Sequence, residues 1–178
     1  MSDSDVDITK TLTKVTYLGL LMNVLFPVAY VGVAVFLKQR NQDMEMSGGF
    51  TISPQLKLIF YIFLAISCLD FAFAYYVRRK LPRKFLTTGQ QMKQMPGLSL
   101  ADHFHQSATT ISLILFAAIG ASSLYGLVLV ITGAQLEVMV LFVALTLIGY
   151  QFFRPREAFL ERVLERVRQI RAEAGKTG

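Results

Sequence analysis

The sequence predicts an all-α integral membrane protein: a four-helix transmembrane bundle with a cytoplasmic C-terminal amphipathic helix. Three observations carry that expectation. Charged residues are only 17% of the 178, against about 25% in an average soluble domain. Mean hydropathy is +0.48, and the apolar residues gather in four long runs. Lys and Arg, finally, crowd the segments on one side of those runs.

The chain opens with "MSDSDVDITK". It lacks the basic start and short apolar stretch of a cleavable secretory signal, so residues 1–14 are expected to remain as a cytoplasmic tail. A spanning helix needs about 20 apolar residues at 1.5 Å rise. The first candidate is Val15–Leu37, bounded by Lys14 and Lys38. Inside it, Pro27 has no N–H to offer the carbonyl of Asn23 four residues earlier, which predicts a kink with a free acceptor.

The second span, 56–77, holds one charge, Asp70, and stops abruptly at Arg78-Arg79-Lys80. The third, 108–133, has no charge at all. The fourth, 136–153, is the shortest, and snorkelling ends extend it. Between the second and third spans, "RRKLPRKFL" alternates cations with Leu and Phe, as suits a segment on anionic headgroups. "MPGLSLADHFHQ" then reads as a turn and a helix start. Ser99 and Asp102 have the spacing of a capping arrangement, so the third helix is expected to begin near Ser99, ahead of the lipid.

Residues 154–178 form the cytoplasmic end. Pro155 fits the first turn of a helix or a bend. Beyond it, Phe159, Leu160, Val163, Leu164, Val167 and Ile170 follow 3,4 spacing and make one apolar stripe, with Arg and Glu on the other faces. Such a helix lies on the membrane surface or docks on a partner.

Orientation follows from the cations. The two tails and the 78–107 segment hold fifteen Lys and Arg, and the other side holds three: Lys38, Arg40 and Lys57. Both termini are therefore expected inside, with "KQRNQDMEMSGGFTISPQ" and "GAQLE" outside, in a membrane of the bacterial cytoplasmic kind. The same asymmetry accounts for the +6 charge and pI of 9.6. Nucleic acid is not an expected partner, because the basic segments lack the interleaved aromatics such binding uses. The expected partners are the bilayer and other membrane subunits, or further copies of the chain.

Chemistry-bearing motifs are sparse. One cysteine, Cys68, permits no internal disulfide. No HExxH, CxxC, GxGxxG or P-loop pattern occurs, so neither a cofactor nor a metal is expected. His103 and His105 are the only histidines. Two residues apart on a helix they point about 200° away from each other and cannot clasp one ion. Lys57 and Glu137 sit at the outer boundary, where snorkelling or a surface ion pair suffices.

Two intramembrane features stand out. Ala118, Ser122 and Gly126, with Ala121 beside them, form a small-residue stripe of the kind that lets helix backbones approach in lipid. It meets either other helices of this chain or another subunit. Asp70 lies seven residues from the end of its span, roughly 10 Å deep. An ionisable group at that depth faces a bundle interior or water. Depth selects Asn23, Thr146 and Ser67 as its polar neighbours. The cluster would serve as a structural hydrogen-bond site or handle protons or cations.

The stretch "GASSLYGLVLVITG" resembles the second helix of the rotary ATPase proteolipids, the c-ring subunits, through Ser123, Leu124, Tyr125, Gly126 and Leu127. The match covers about 14 residues. The resemblance implies an ion-carrying carboxylate where this chain has Gly120, so ion translocation does not carry over. With no nucleophile–base pair or paired carboxylates, the expectation is a non-catalytic component of a larger membrane complex. The alternative is a proteolipid-like conducting element that uses Asp70.

Overall fold

Asp7 starts the first helix: its carboxylate accepts the Lys10 N–H at 2.9 Å, satisfying one of the N–H groups that a helix start leaves unpaired. The computed structural model describes residues 7–40, 54–84 and 99–174. Residues 1–6, most of the expected outer loop (41–53), the stretch 85–98 with the end of "RRKLPRKFL" and the expected turn before Ser99, and the last four residues lie outside the described residues.

Helix α1 (Ile8–Leu20) passes through one turn of π-helix (Leu21–Leu25) into α2 (Phe26–Arg40). Then come α3 (Pro54–Lys84), α4 (Leu100–Ile131), α5 (Leu136–Phe153) and α6 (Glu157–Ala174). Four stretches are long and apolar enough to cross a membrane: Ile8–Gln39, Leu56–Lys80, Leu100–Ile131 and Leu136–Phe153. No strand occurs among the described residues.

The helices run past the apolar segments because hydropathy marks the part fit for lipid, whereas backbone hydrogen bonding continues into the flanks. The break expected at Pro27 takes the form of the π-turn. Phe26 N–H reaches back five residues to the Leu21 carbonyl, and the inserted residue absorbs the donor that Pro27 lacks. Ser99 caps α4 as its spacing predicts: its hydroxyl accepts the Asp102 N–H at 3.2 Å and donates to the Asp102 carboxylate at 2.7 Å.

α4 is the central helix, packed against every other. At the basic end of the bundle Leu100, Phe104 and Ala108 of α4 share a core with Ala74 and Val77 of α3. At the opposite end Leu129 packs with Phe60, Val138 and Phe142. α3 and α4 therefore run antiparallel. α4 ends in a turn whose Ala134 N–H bonds the Leu129 carbonyl and whose Gly133 N–H bonds the Val130 carbonyl. That pattern needs a left-handed residue, and Gly133 supplies it at φ 105°.

Pro155 is not in the first turn of α6. Arg154 adopts ψ 134°, the extended conformation a following proline imposes, and α6 restarts only at Glu157. The helix then folds back on the bundle. Phe159, Leu160, Val163, Leu164 and Val167 join the core formed with Leu100, Phe104 and Ile111, against Ile8 and Leu12 of α1. No stripe residue, Ile170 included, is more than 5% exposed. The stripe thus does not lie open to lipid or to a partner, as its periodicity suggested; it covers the chain's own basic end.

The small-residue stripe also turns inward. A Cβ placed on Gly126 would lie 2.9 Å from Phe142 Cβ and 3.2 Å from Met139 Cα, so α4 and α5 touch backbone to backbone there. Ser122 is fully buried, while Ala118 and Ala121 are half-buried at the margins.

Candidate functional site

The polar residues of the bundle gather along α4 between Ile119 and Tyr125. Three other elements present side chains to it. The π-turn brings Asn23, α3 brings Asp70, and α5 brings Thr146.

Asp70 is paired, but with Tyr125 rather than with Asn23, Thr146 or Ser67. The Tyr125 hydroxyl donates to Asp70 Oδ2 at 3.0 Å, and Asp70 itself is half-buried. The Tyr125 ring stacks on Phe63, with centroids 5.2 Å apart and planes 21° from parallel. Phe63 precedes Asp70 by seven residues, roughly 10 Å along α3. One side chain bridges that distance because helical side chains lean toward their helix N-terminus, and the N-terminus of α4 is at the basic end. Tyr125 belongs to the stretch "GASSLYGLVLVITG" that the sequence singled out, but not as a partner of Asp70. Matching residues by backbone depth passed over it.

Asn23 is fully buried. Its Nδ2 donates to the Gly19 carbonyl at 3.3 Å, while Oδ1 has no donor among the described residues. That oxygen would lie 3.3 Å from a Cβ on Gly120, and the Met22 carbonyl 3.8 Å. Gly120 thus lets the π-turn approach α4 closely. The Gly120 carbonyl is itself occupied, accepting the Ser123 hydroxyl at 2.7 Å.

Thr146, also fully buried, donates toward the Phe142 carbonyl at 3.1 Å and across to the Ile119 carbonyl of α4 at 3.4 Å. The Ser67 and Ser122 hydroxyls are buried without partners among the described residues. The expected cluster of Asp70, Asn23, Thr146 and Ser67 is therefore not one network. Asp70 and Thr146 each tie a neighbouring helix to α4, Asn23 turns back to its own helix, and Ser67 joins neither.

At the basic end, Thr11 Oγ1 and His105 Nδ1 lie 2.5 Å apart, and the same hydroxyl is 3.1 Å from the Asp7 carbonyl. The hydroxyl has one proton; when it goes to Asp7, the His105 ring donates. This bond joins α1 to α4 and gives His105 a partner other than His103. Lys57 and Glu137 are both exposed.

Chemically, the arrangement offers interhelical hydrogen bonds, one carboxylate with a hydroxyl donor, and one inward-facing amide oxygen. Compared with known proteins, the chain matches no family model, no curated protein and no solved structure.

Proposed function

We propose that this protein is a non-catalytic, multi-pass membrane component that works as an accessory or structural part of a larger membrane complex. The observation that supports it most directly is the Tyr125–Asp70 bond at 3.0 Å. The carboxylate at membrane depth is joined to a neutral hydroxyl of the next helix, as a tie between α3 and α4. The Thr146–Ile119 contact ties α5 to α4 in the same way.

In this reading the basic end faces the cytoplasm, following the fifteen-to-three cation asymmetry. Both termini are inside, in a bacterial inner membrane, and α6 is a cytoplasmic amphipathic helix laid over the bundle. With the α4 and α6 stripes buried within the chain, partner subunits meet the outward apolar faces of α1–α3, where Tyr61, Leu69 and Phe73 are exposed.

Gentle detergent extraction followed by light scattering and identification of co-purifying proteins tests this. A defined assembly larger than the 20.0 kDa chain is expected. A homogeneous, partner-free monomer would refute it.

A second reading, a proton- or cation-conducting element using Asp70, draws on the partial exposure of Asp70 and on the buried Asn23 Oδ1, which has no donor among the described residues. Reconstituted vesicles separate the two. We expect no proton flux above empty liposomes. Flux in the wild type that Asp70→Asn abolishes establishes the conducting reading, because an amide cannot release and regain a proton.

A further inference from the structure

Between the end of α3 and the outer face of α6 lies a groove of about 650 Å³. Arg78, Arg79, Lys80, Arg162 and Arg166 line it, with Glu165 as its single acidic group. Cations on two separate helices converge there, and the bonds they make are to neutral groups. Arg78 donates to the Phe152 carbonyl, and Arg79 donates to the Tyr75 hydroxyl at 2.7 Å. Arg162 Nε donates to the Ala158 carbonyl at 3.1 Å, and Arg166 donates to Gln169 Oε1 at 3.0 Å. Arg166 Nε is buried with no acceptor among the described residues. Like charges are thus gathered at close quarters with one carboxylate to offset them.

We infer that this groove binds a phosphate-bearing anion, with Arg79, Lys80, Arg162 and Arg166 as its donors. Guanidinium forks match phosphate oxygens in pairs, and lysine adds a point charge. The groove opens at the level where headgroups lie, since Arg78 directly follows the apolar run that ends at Val77. Basic pockets between helices at that level hold anionic headgroups. Arg78 stays committed to Phe152 and fixes the end of α3 against α5. The phosphate comes from a lipid headgroup or from solution. This goes beyond the accessory reading, and holds or fails independently of whether partner subunits are found.

The test uses the full-length protein in neutral detergent, with bound ligand measured by native mass spectrometry. The probes are dioleoyl-phosphatidylglycerol, dioleoyl-phosphatidylcholine and inorganic phosphate. Phosphatidylglycerol is expected to bind at least about tenfold more tightly than phosphatidylcholine, and Arg79→Gln with Arg162→Gln to remove most of that preference. Arg168 is exposed on the same helix but does not line the groove, so Arg168→Gln should leave binding nearly unchanged. Glu165→Gln should strengthen it. Phosphate binding alone, displaced by neither lipid, identifies the solution anion; a lipid preference that phosphate does not relieve identifies the headgroup. Absence of both, or an equal loss in Arg168→Gln, overturns the proposal. If the double variant does not fold, Glu165→Gln still decides, because failure to strengthen binding refutes an anion site beside Glu165.

Discussion

Tyr125→Phe removes a single oxygen from the candidate site. The ring stays stacked on Phe63 at 5.2 Å, so the change isolates the bond to Asp70. At 3.0 Å that bond is at the long end of the O–H···O range, and Asp70 is only half-buried. Interhelical hydrogen bonds in membrane bundles average about 0.6 kcal/mol and reach about 1.7. We expect about 0.6–1 kcal/mol here, roughly a three- to fivefold change in the folded-to-unfolded ratio. Asp70→Leu should cost about 1 kcal/mol, and Asp70→Asn much less, because the amide oxygen still accepts. The assay is unfolding in mixed micelles with increasing sodium dodecyl sulfate, followed by circular dichroism. In the Tyr125→Phe, Asp70→Leu cycle, the double variant should be little worse than either single one, giving a coupling near the full bond energy. Strictly additive losses would mean that the two side chains do not interact, and the tie between α3 and α4 would have to be abandoned.

Gly126→Leu should cost about 3 kcal/mol or prevent folding, because Phe142 and the Met139 backbone already occupy the space; Leu127→Ile should cost about 1.5 kcal/mol or less, and equal tolerance in the same unfolding assay would show that α4 and α5 are not in backbone contact. Val163→Glu with Val167→Glu buries uncompensated charge at two positions of 0% exposure, at about 3–5 kcal/mol each. α6 should detach and become susceptible to limited proteolysis while the four spans still insert; wild-type protease resistance would refute its docking. In a Cys68→Ser background, a cysteine at Gly48 should react with an impermeant thiol reagent added outside, and one at Gln90 should not. The reverse pattern would invert the proposed topology.

The parts of this molecule that are legible in its sequence are those set by one segment at a time. The four apolar runs and the Ser99–Asp102 cap depend on local composition and spacing, and each appears where those signals lie. Relations between segments were harder. The 3,4 spacing from Phe159 to Ile170 identifies an apolar face but not its cover. The cover could have been read from Leu100, Phe104, Ala108 and Ile111, whose own spacing of four, four and three makes a matching face in the first turns of α4. Counting residues from a membrane boundary places backbones at a depth. It does not place a phenol that reaches back along its own helix, which is how Tyr125 meets Asp70. Pro27 signalled a disturbed helix, yet the choice between a bend and an inserted residue depends on how Met22 and Asn23 fit against Gly120, a contact with a helix nearly a hundred residues away.

The docking of α6 also orders events in time. A ribosome finishes all four spanning stretches before it completes α6, so the nascent bundle waits with the faces of Ala74, Val77, Leu100 and Phe104 uncovered. Only when the residues from Phe159 to Val167 emerge does the chain close over its own basic end. A chain cut back to before Phe159 would leave that apolar patch without the residues that cover it.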